Sequence, residues 1–190
     1  MQKIKVVLMA VVCLALLAGD AVAQDTNAPR TKLEAFEAQT GTVIIMGKDQ
    51  IGSVPAKAGT VLVGYRESTD TGSGQKEYGI TVTIKVSEQI VDTTVIDYDE
   101  VESLIGGLER LSQIDWTATP LPSFEAVYTT RSGLRIATYS SRKQPGSIGV
   151  SLQSWQIIRS RASLSPEQLA QFRAFINQAK EKLDALLTGK

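Results

Sequence analysis

The 190-residue chain contains no histidine and a single cysteine, Cys13. The first absence removes the imidazole that serves most nucleophile–base pairs and many zinc sites, so Ser-His-Asp and Cys-His catalysis are excluded. The second excludes an intrachain disulfide. Aromatic residues make up only 6% of the chain, and its 20 Lys and Arg balance its 20 Asp and Glu, so no overall charge directs it to nucleic acid. Neither asparagine that could start a glycosylation sequon does so: Asn27 precedes Ala-Pro and Asn177 precedes Gln-Ala. No motif for a cofactor or a metal is recognised.

What is present begins with an export signal. Lys3 and Lys5 supply positive charge, Val6 to Leu17 is an unbroken apolar run, and Ala21-Val22-Ala23 places small residues at the cleavage positions. The run is shorter than the ~20 residues needed to span hydrocarbon, which predicts cleavage after Ala23 and no transmembrane segment in the mature chain. Cys13 lies inside the run, after Val12, and does not fit a lipid-modified cysteine; it leaves with the leader. The processed chain then has neither thiol nor imidazole and must be stabilised by burial alone. A secreted or periplasmic location follows, and the lack of sequons and cysteines fits a bacterial envelope.

After a flexible lead-in, Thr31 and Glu34 stand at capping-box spacing, Leu33 and Phe36 share a face, and Gly41 stops the short helix. Period-two patterns rich in Val, Ile and Thr then predict strands at Thr42–Met46, Val61–Arg66, Ile80–Val86 and Ile90–Ile96, with Ile51–Ala56 as an extra strand. A helix starts at Asp97. Strands follow at about Phe124–Thr130, Leu134–Tyr139, Ser147–Leu152 and Trp155–Ala162, and a final helix spans Pro166–Leu187. The fold class expected is α+β, with antiparallel sheets in the order ββββα-ββββα and a short N-terminal helix. A 1–23 leader, a 24–40 lead-in and helix, and one domain over 41–190 made of halves 41–115 and 116–190 complete the organisation.

The two halves read as an internal duplication. A shift of 68 places Asp97 on Ser165 as N-cap, Glu100 on Gln168 as capping-box partner and Ile96 on Leu164 as the outer half of a hydrophobic staple. The helix stripes then match: Val101 with Leu169, Leu104 with Phe172, Leu108 with Ile176, Leu111 with Ala179. The same shift sets Ile80, Val82 and Ile84 on Ile148, Val150 and Leu152. Gly106-Gly107 costs the first helix about 2 kcal/mol relative to alanine and predicts a kink or frayed end. Charge separates the halves: residues 24–115 carry eight basic and fifteen acidic side chains, a net of −7, and residues 116–190 carry ten and four, a net of +6. Mutual attraction between the halves, or between copies in a homo-oligomer, is expected.

The segments Ile80–Leu111 and Ile148–Leu187, each a strand pair running into a helix, resemble the repeated topology of the Whirly and PUR-type nucleic-acid-binding fold. The resemblance covers most of the mature chain and implies the order of elements. It rests on topology, so no binding residue is carried over. Export removes nucleic acid from the expected partners.

Alternation turns Arg135 and Tyr139 outward if Leu134 and Ile136 face the core, and turns Trp155, Arg159 and Arg161 outward if Ile158 and Ala162 face in. Arginines interleaved with aromatic rings suit an anionic or sugar ligand, and the face equally suits an envelope protein or the acidic half of the chain. Ser73-Gly74-Gln75-Lys76 and Ser140-Ser141-Arg142-Lys143 match Ser-x-x-Lys, but hairpin loops are expected at both, whereas acyl-enzyme chemistry needs a helix start. Asp97, Asp99, Glu100 and Glu102 form an acidic cluster of the kind a helix dipole favours in a first turn; Val101 interrupts a calcium-loop pattern. No catalytic or metal-ligating residues are assigned. The expectation is an exported, non-enzymatic binding or structural module of the cell envelope. The alternative is a carboxylate-dependent hydrolase acting on an envelope glycan, drawing on pairs such as Glu67 and Asp70.

Overall fold

The computed structural model describes residues 28–57, 59–86, 89–141, 144–154 and 160–189, with backbone alone at 89–91, 141 and 144–146. The leader lies outside the described residues. A short helix, α1 (Lys32–Glu37), precedes four strands, β1 (Ile44–Ala56), β2 (Gly59–Asp70), β3 (Lys76–Val86) and β4 (Gln89–Asp97). A 3-10 turn at Tyr98–Glu100 leads into α2 (Val101–Gln113). The second half repeats the order with β5 (Glu125–Thr129), β6 (Arg135–Ser141), β7 (Gln144–Ser154), β8 (Ser160–Leu164) and α3 (Pro166–Leu187). Each set of strands forms an antiparallel meander, β1-β2-β3-β4 and β5-β6-β7-β8.

The two segments expected as separate strands at Thr42–Met46 and Ile51–Ala56 are one strand. The connecting Gly47-Lys48-Asp49-Gln50 stays paired with β2, and a bulge at Ile51 absorbs the break in alternation. Beyond the bulge Val54 points into the core, and Gly52 lets the ring of Phe175 come so close that a Cβ would lie 2.6 Å from it.

Inward-facing residues of both sheets and the stripes of α2 and α3 join in one buried cluster, among them Val61, Ile80, Val82, Leu104, Leu108, Ile136, Leu152, Phe172 and Ile176. The helices are exchanged: α2 packs on β5 and β6 of the second sheet, while α3 lies across β1, β2 and β3 of the first and also touches β7 and β8. The first half thus lends its helix to the second sheet, whereas α3 covers the first sheet and also part of its own. The exchange explains Gly106-Gly107, which does not fray the helix. Gly107 sits under the ring of Tyr128 from β5, where a Cβ would lie 2.4 Å from the ring, so the missing side chain admits the second sheet.

Charge complementarity is realised across the halves. Arg131 reaches Asp99 at 2.8 Å and Asp97 at 3.5 Å, and Lys180 on α3 reaches Glu102 on α2 at 3.1 Å. Tyr98 donates to Asp184 at 2.5 Å.

The repeat is correct in order and corrected in detail. Ser165 and Gln168 form the expected capping box at α3, as Thr31 and Glu34 do at α1. Asp97 and Glu100 do not. The chain enters a 3-10 turn first, and Asp97 turns its carboxylate to α1, accepting the backbone N–H groups of Lys32 at 2.8 Å and Leu33 at 3.0 Å. Glu100 accepts the backbone N–H of Arg131 at 2.8 Å. The cause is α1 itself, which has no counterpart in the second half and brings unpaired N–H groups to the outer face of the first sheet. Pairing also shows that the strand alignment slips by two. Ile80 pairs with Ile96, but Leu164 pairs with Val150 instead of Ile148. A slip of two preserves which side chains face the core, which is why it does not show in the pattern.

Candidate functional site

The outward face of the second sheet is built on three neighbouring strands. Leu134 and Ile136 are fully buried, so Arg135 and Tyr139 on β6 emerge on the opposite side. Ala162 is buried at 3% exposure and Arg161 beside it on β8 is exposed. The register lines up Arg135, Gln153 and Arg161 across β6, β7 and β8, and sets Tyr139 opposite Gly149. Trp155 and Arg159 lie outside the described residues, so three of the five expected members, Arg135, Tyr139 and Arg161, are located, and they share one face.

Two contacts organise that face. The guanidinium of Arg161 lies 5.6 Å from the centre of the Tyr139 ring, within cation–π range. Gly149 makes the arrangement possible, because a Cβ there would lie 2.6 Å from the tyrosine ring. Arg135 is held by Glu125 across the strand pair at 2.8 Å. Arg161 has no carboxylate partner among the described residues, so its charge is directed by the ring without being neutralised. Between these groups the floor is closed, with Ala137 and Ser151 at 1% and 0% exposure. A ligand here would rest on a flat surface and meet rim groups, with no cleft to enter. Glu125 and Gly149 were missed by sequence reasoning; a glycine inside a strand pattern is the signal that marks such a close approach.

The other candidates are absorbed by the fold. Ser73 donates to Asp70 at 2.7 Å, while Lys76 pairs with Glu67 at 2.9 Å, so the Ser-x-x-Lys residues do not meet. Asp70 also accepts from the hydroxyl of Thr42 and from Gly72 N–H, and these donors hold its carboxyl down at about 2. Ser140 belongs to β6, not to a loop, and accepts the Phe124 N–H at 3.0 Å; Lys143 lies outside the described residues.

The acidic cluster is likewise structural. Asp99 bridges Arg131 at 2.8 Å and Lys32 at 2.9 Å, and the hydrogen bond from Arg131 holds its carboxyl below the usual carboxylate range. Burial pushes Glu100 up, and its second oxygen has no hydrogen-bond partner. Among the described residues no group of three or more acidic side chains is placed to hold a metal ion. No helix among them is long and apolar enough to cross a membrane.

Two recesses were not foreseen. One of about 380 Å³ lies where Lys57 meets Ser163 and the start of α3, lined also by Pro55 and Gln168. The other, about 300 Å³, is a trough on the outer face of the first sheet between Lys48, Gln50, Leu62, Thr81 and Thr83. Comparison with protein-family models, with curated protein sequences and with solved structures finds no match to the chain.

Proposed function

We propose that the chain is an exported, non-enzymatic binding module of the cell envelope, and that the outer face of its second sheet takes a saccharide carrying anionic groups. The observation that carries this reading is Arg161, exposed, within cation–π range of Tyr139 and without a carboxylate partner among the described residues. A guanidinium held over a ring and not paired with a carboxylate keeps N–H donors for a carboxylate, sulfate or phosphate. Arg135, paired with Glu125, lies on the same row. The flat, closed floor suits a ring lying against the sheet and leaves no enclosed space for a reaction.

Export rests on the tripartite leader and sets the partner class, because an envelope module meets glycans more readily than single-stranded nucleic acid. The Whirly and PUR-type likeness is one of shape in this reading. The hydrolase alternative is disfavoured by the use of the clustered carboxylates: Asp97 serves α1, Asp99 sits between two cations, and Glu100 is 5% exposed.

Calorimetric titration of the processed chain with a carboxylated glycan, and with the same glycan after carboxyl reduction, tests the proposal. Arg161→Ala should weaken binding about tenfold, equivalent to about 1.4 kcal/mol, with thermal stability unchanged. Equal affinity for the reduced glycan, or a lowered melting temperature with binding intact, would overturn it.

A further inference from the structure

The first sheet carries an open edge at one end of β1. Near its C-terminal end β1 is closed by the second half, where Lys57 donates its backbone N–H to the Ser163 carbonyl at 3.1 Å. From Ile44 to Gln50 it pairs with β2 on one side, and no described strand lies on the other. This stretch is apolar at its start and exposed on both faces, with Val43, Ile45 and Met46 at 65%, 60% and 55% exposure. Long, regular apolar edges are what natural sheets normally shorten, bulge or charge. Here the bulge and Pro55 come only after Gln50.

Backbone geometry fixes which groups face outward. Val43 turns its carbonyl to β2, where it accepts the Thr71 N–H at 3.0 Å. Alternation then directs the N–H and C=O groups of Ile44, Met46, Lys48 and Gln50 away from β2, to the open edge. An antiparallel pairing about a two-fold axis through Ile45 matches these groups with their equals. Ile44 stands opposite Met46 of the second copy, Met46 opposite Ile44, and the two Ile45 side chains meet on the other face. The same register sets Lys48, which has no ion pair among the described residues, opposite Thr42 of the second copy. That hydroxyl is bonded to Asp70, whose low pKa keeps it ionised. Charge complementarity thus occurs twice, and neither Lys48 nor Asp49 faces its own copy.

We infer that β1 is the interface of a homodimer, in which Ile44–Lys48 pairs with the same segment of a second copy and joins the two first sheets into one eight-stranded sheet. The interface is isologous and closes on itself. It leaves the Arg135, Tyr139 and Arg161 face of each copy uncovered, so it stands apart from the proposed ligand surface.

Sedimentation equilibrium of the processed chain over a micromolar to millimolar series should show the mass passing from one chain to two. Met46→Pro removes an outward N–H that the monomer does not use and that the dimer needs, so it should leave a monomer with an unchanged melting temperature. Ile45→Cys, with Cys13→Ser where the leader is retained, should cross-link on oxidation, because directly opposed residues of a non-hydrogen-bonded pair lie about 4.5 Å apart at Cα. Lys48→Cys should not, its two copies being about 20 Å apart along the strands. A monomer at every concentration would overturn the inference. So would a dimer indifferent to Met46→Pro, or cross-linking no faster at position 45 than at position 48. Should Met46→Pro fail to fold, the cysteine pair decides alone.

Discussion

The two halves have the same order of elements and divide the work differently. The first has long strands, of 13, 12, 11 and 9 residues, and its outer face is partly covered by α1, whereas the strands of the second are of 5, 7, 11 and 5 residues and no such helix lies on its outer face among the described residues. The crossing of α2 and α3 ties them together, because α2 packs on the second sheet and α3 lies across the first while also touching β7 and β8. A repeated order of elements can therefore supply architecture while the outer faces differ. One face received a helix and its ion pairs, and the other kept arginine and tyrosine in view.

The strongest way to break this comparison is to empty the exchanged helix. Phe172 is fully buried on α3, and Phe172→Ala should cost about 3–5 kcal/mol in chemical denaturation. The loss should appear first as faster hydrogen exchange in β1–β3 of the other half.

The two helix starts give the next contrast. Asp97→Ala removes the acceptor of two α1 N–H groups and should cost about 1–3 kcal/mol, with exchange rising at Lys32 and Leu33. Ser165→Ala, which removes a true N-cap, should cost about 1 kcal/mol and expose the first turn of α3.

Adjacent glycines in α2 should respond with opposite signs. Gly107→Ala drives a methyl into the Tyr128 ring and should destabilise by about 1–3 kcal/mol. Gly106→Ala, whose Cβ would meet nothing nearer than Arg110 at 3.9 Å, should stabilise by about 1 kcal/mol. Thermal melts of the two variants would settle the assignment.

The smallest effect expected is electrostatic. The folded chain holds Asp70 at about 2 against an ordinary 3.8, so the unfolded state binds more protons between these values. Its contribution is present above pH 3.8 and disappears as the pH falls through about 2. Glu100 has the opposite sign. Its raised pKa makes the folded state the better proton binder, so stability falls as the pH rises from the ordinary 4.5 through the folded pKa. Acid melts of Asp70→Asn should lack the first loss.

Much of the fold was legible because alternation and helical periodicity report burial directly. The Val101, Leu104, Leu108 and Leu111 stripe and its partner on α3 are all buried. Burial does not name its partner, however, and nothing in those stripes says that each faces the opposite sheet. The break inside β1 was misread because Lys48, Asp49 and Gln50 are exposed edge positions, where composition does not report pairing. Capping chemistry misled at Asp97, since the carboxylate that local spacing assigns to α2 serves a helix 65 residues away. For the site, strand parity was enough to turn Arg135, Tyr139 and Arg161 outward. Their contact was hidden because it crosses β7 and depends on the side chain that Gly149 lacks.

Amide chemical-shift mapping of the processed chain during titration with a carboxylated glycan tests the functional reading most directly. Changes should concentrate at 135–139, 149–153 and 161 and disappear in Arg161→Ala. An unperturbed spectrum, or changes gathered at the Lys57–Ser163 recess or along β1 instead, would contradict it.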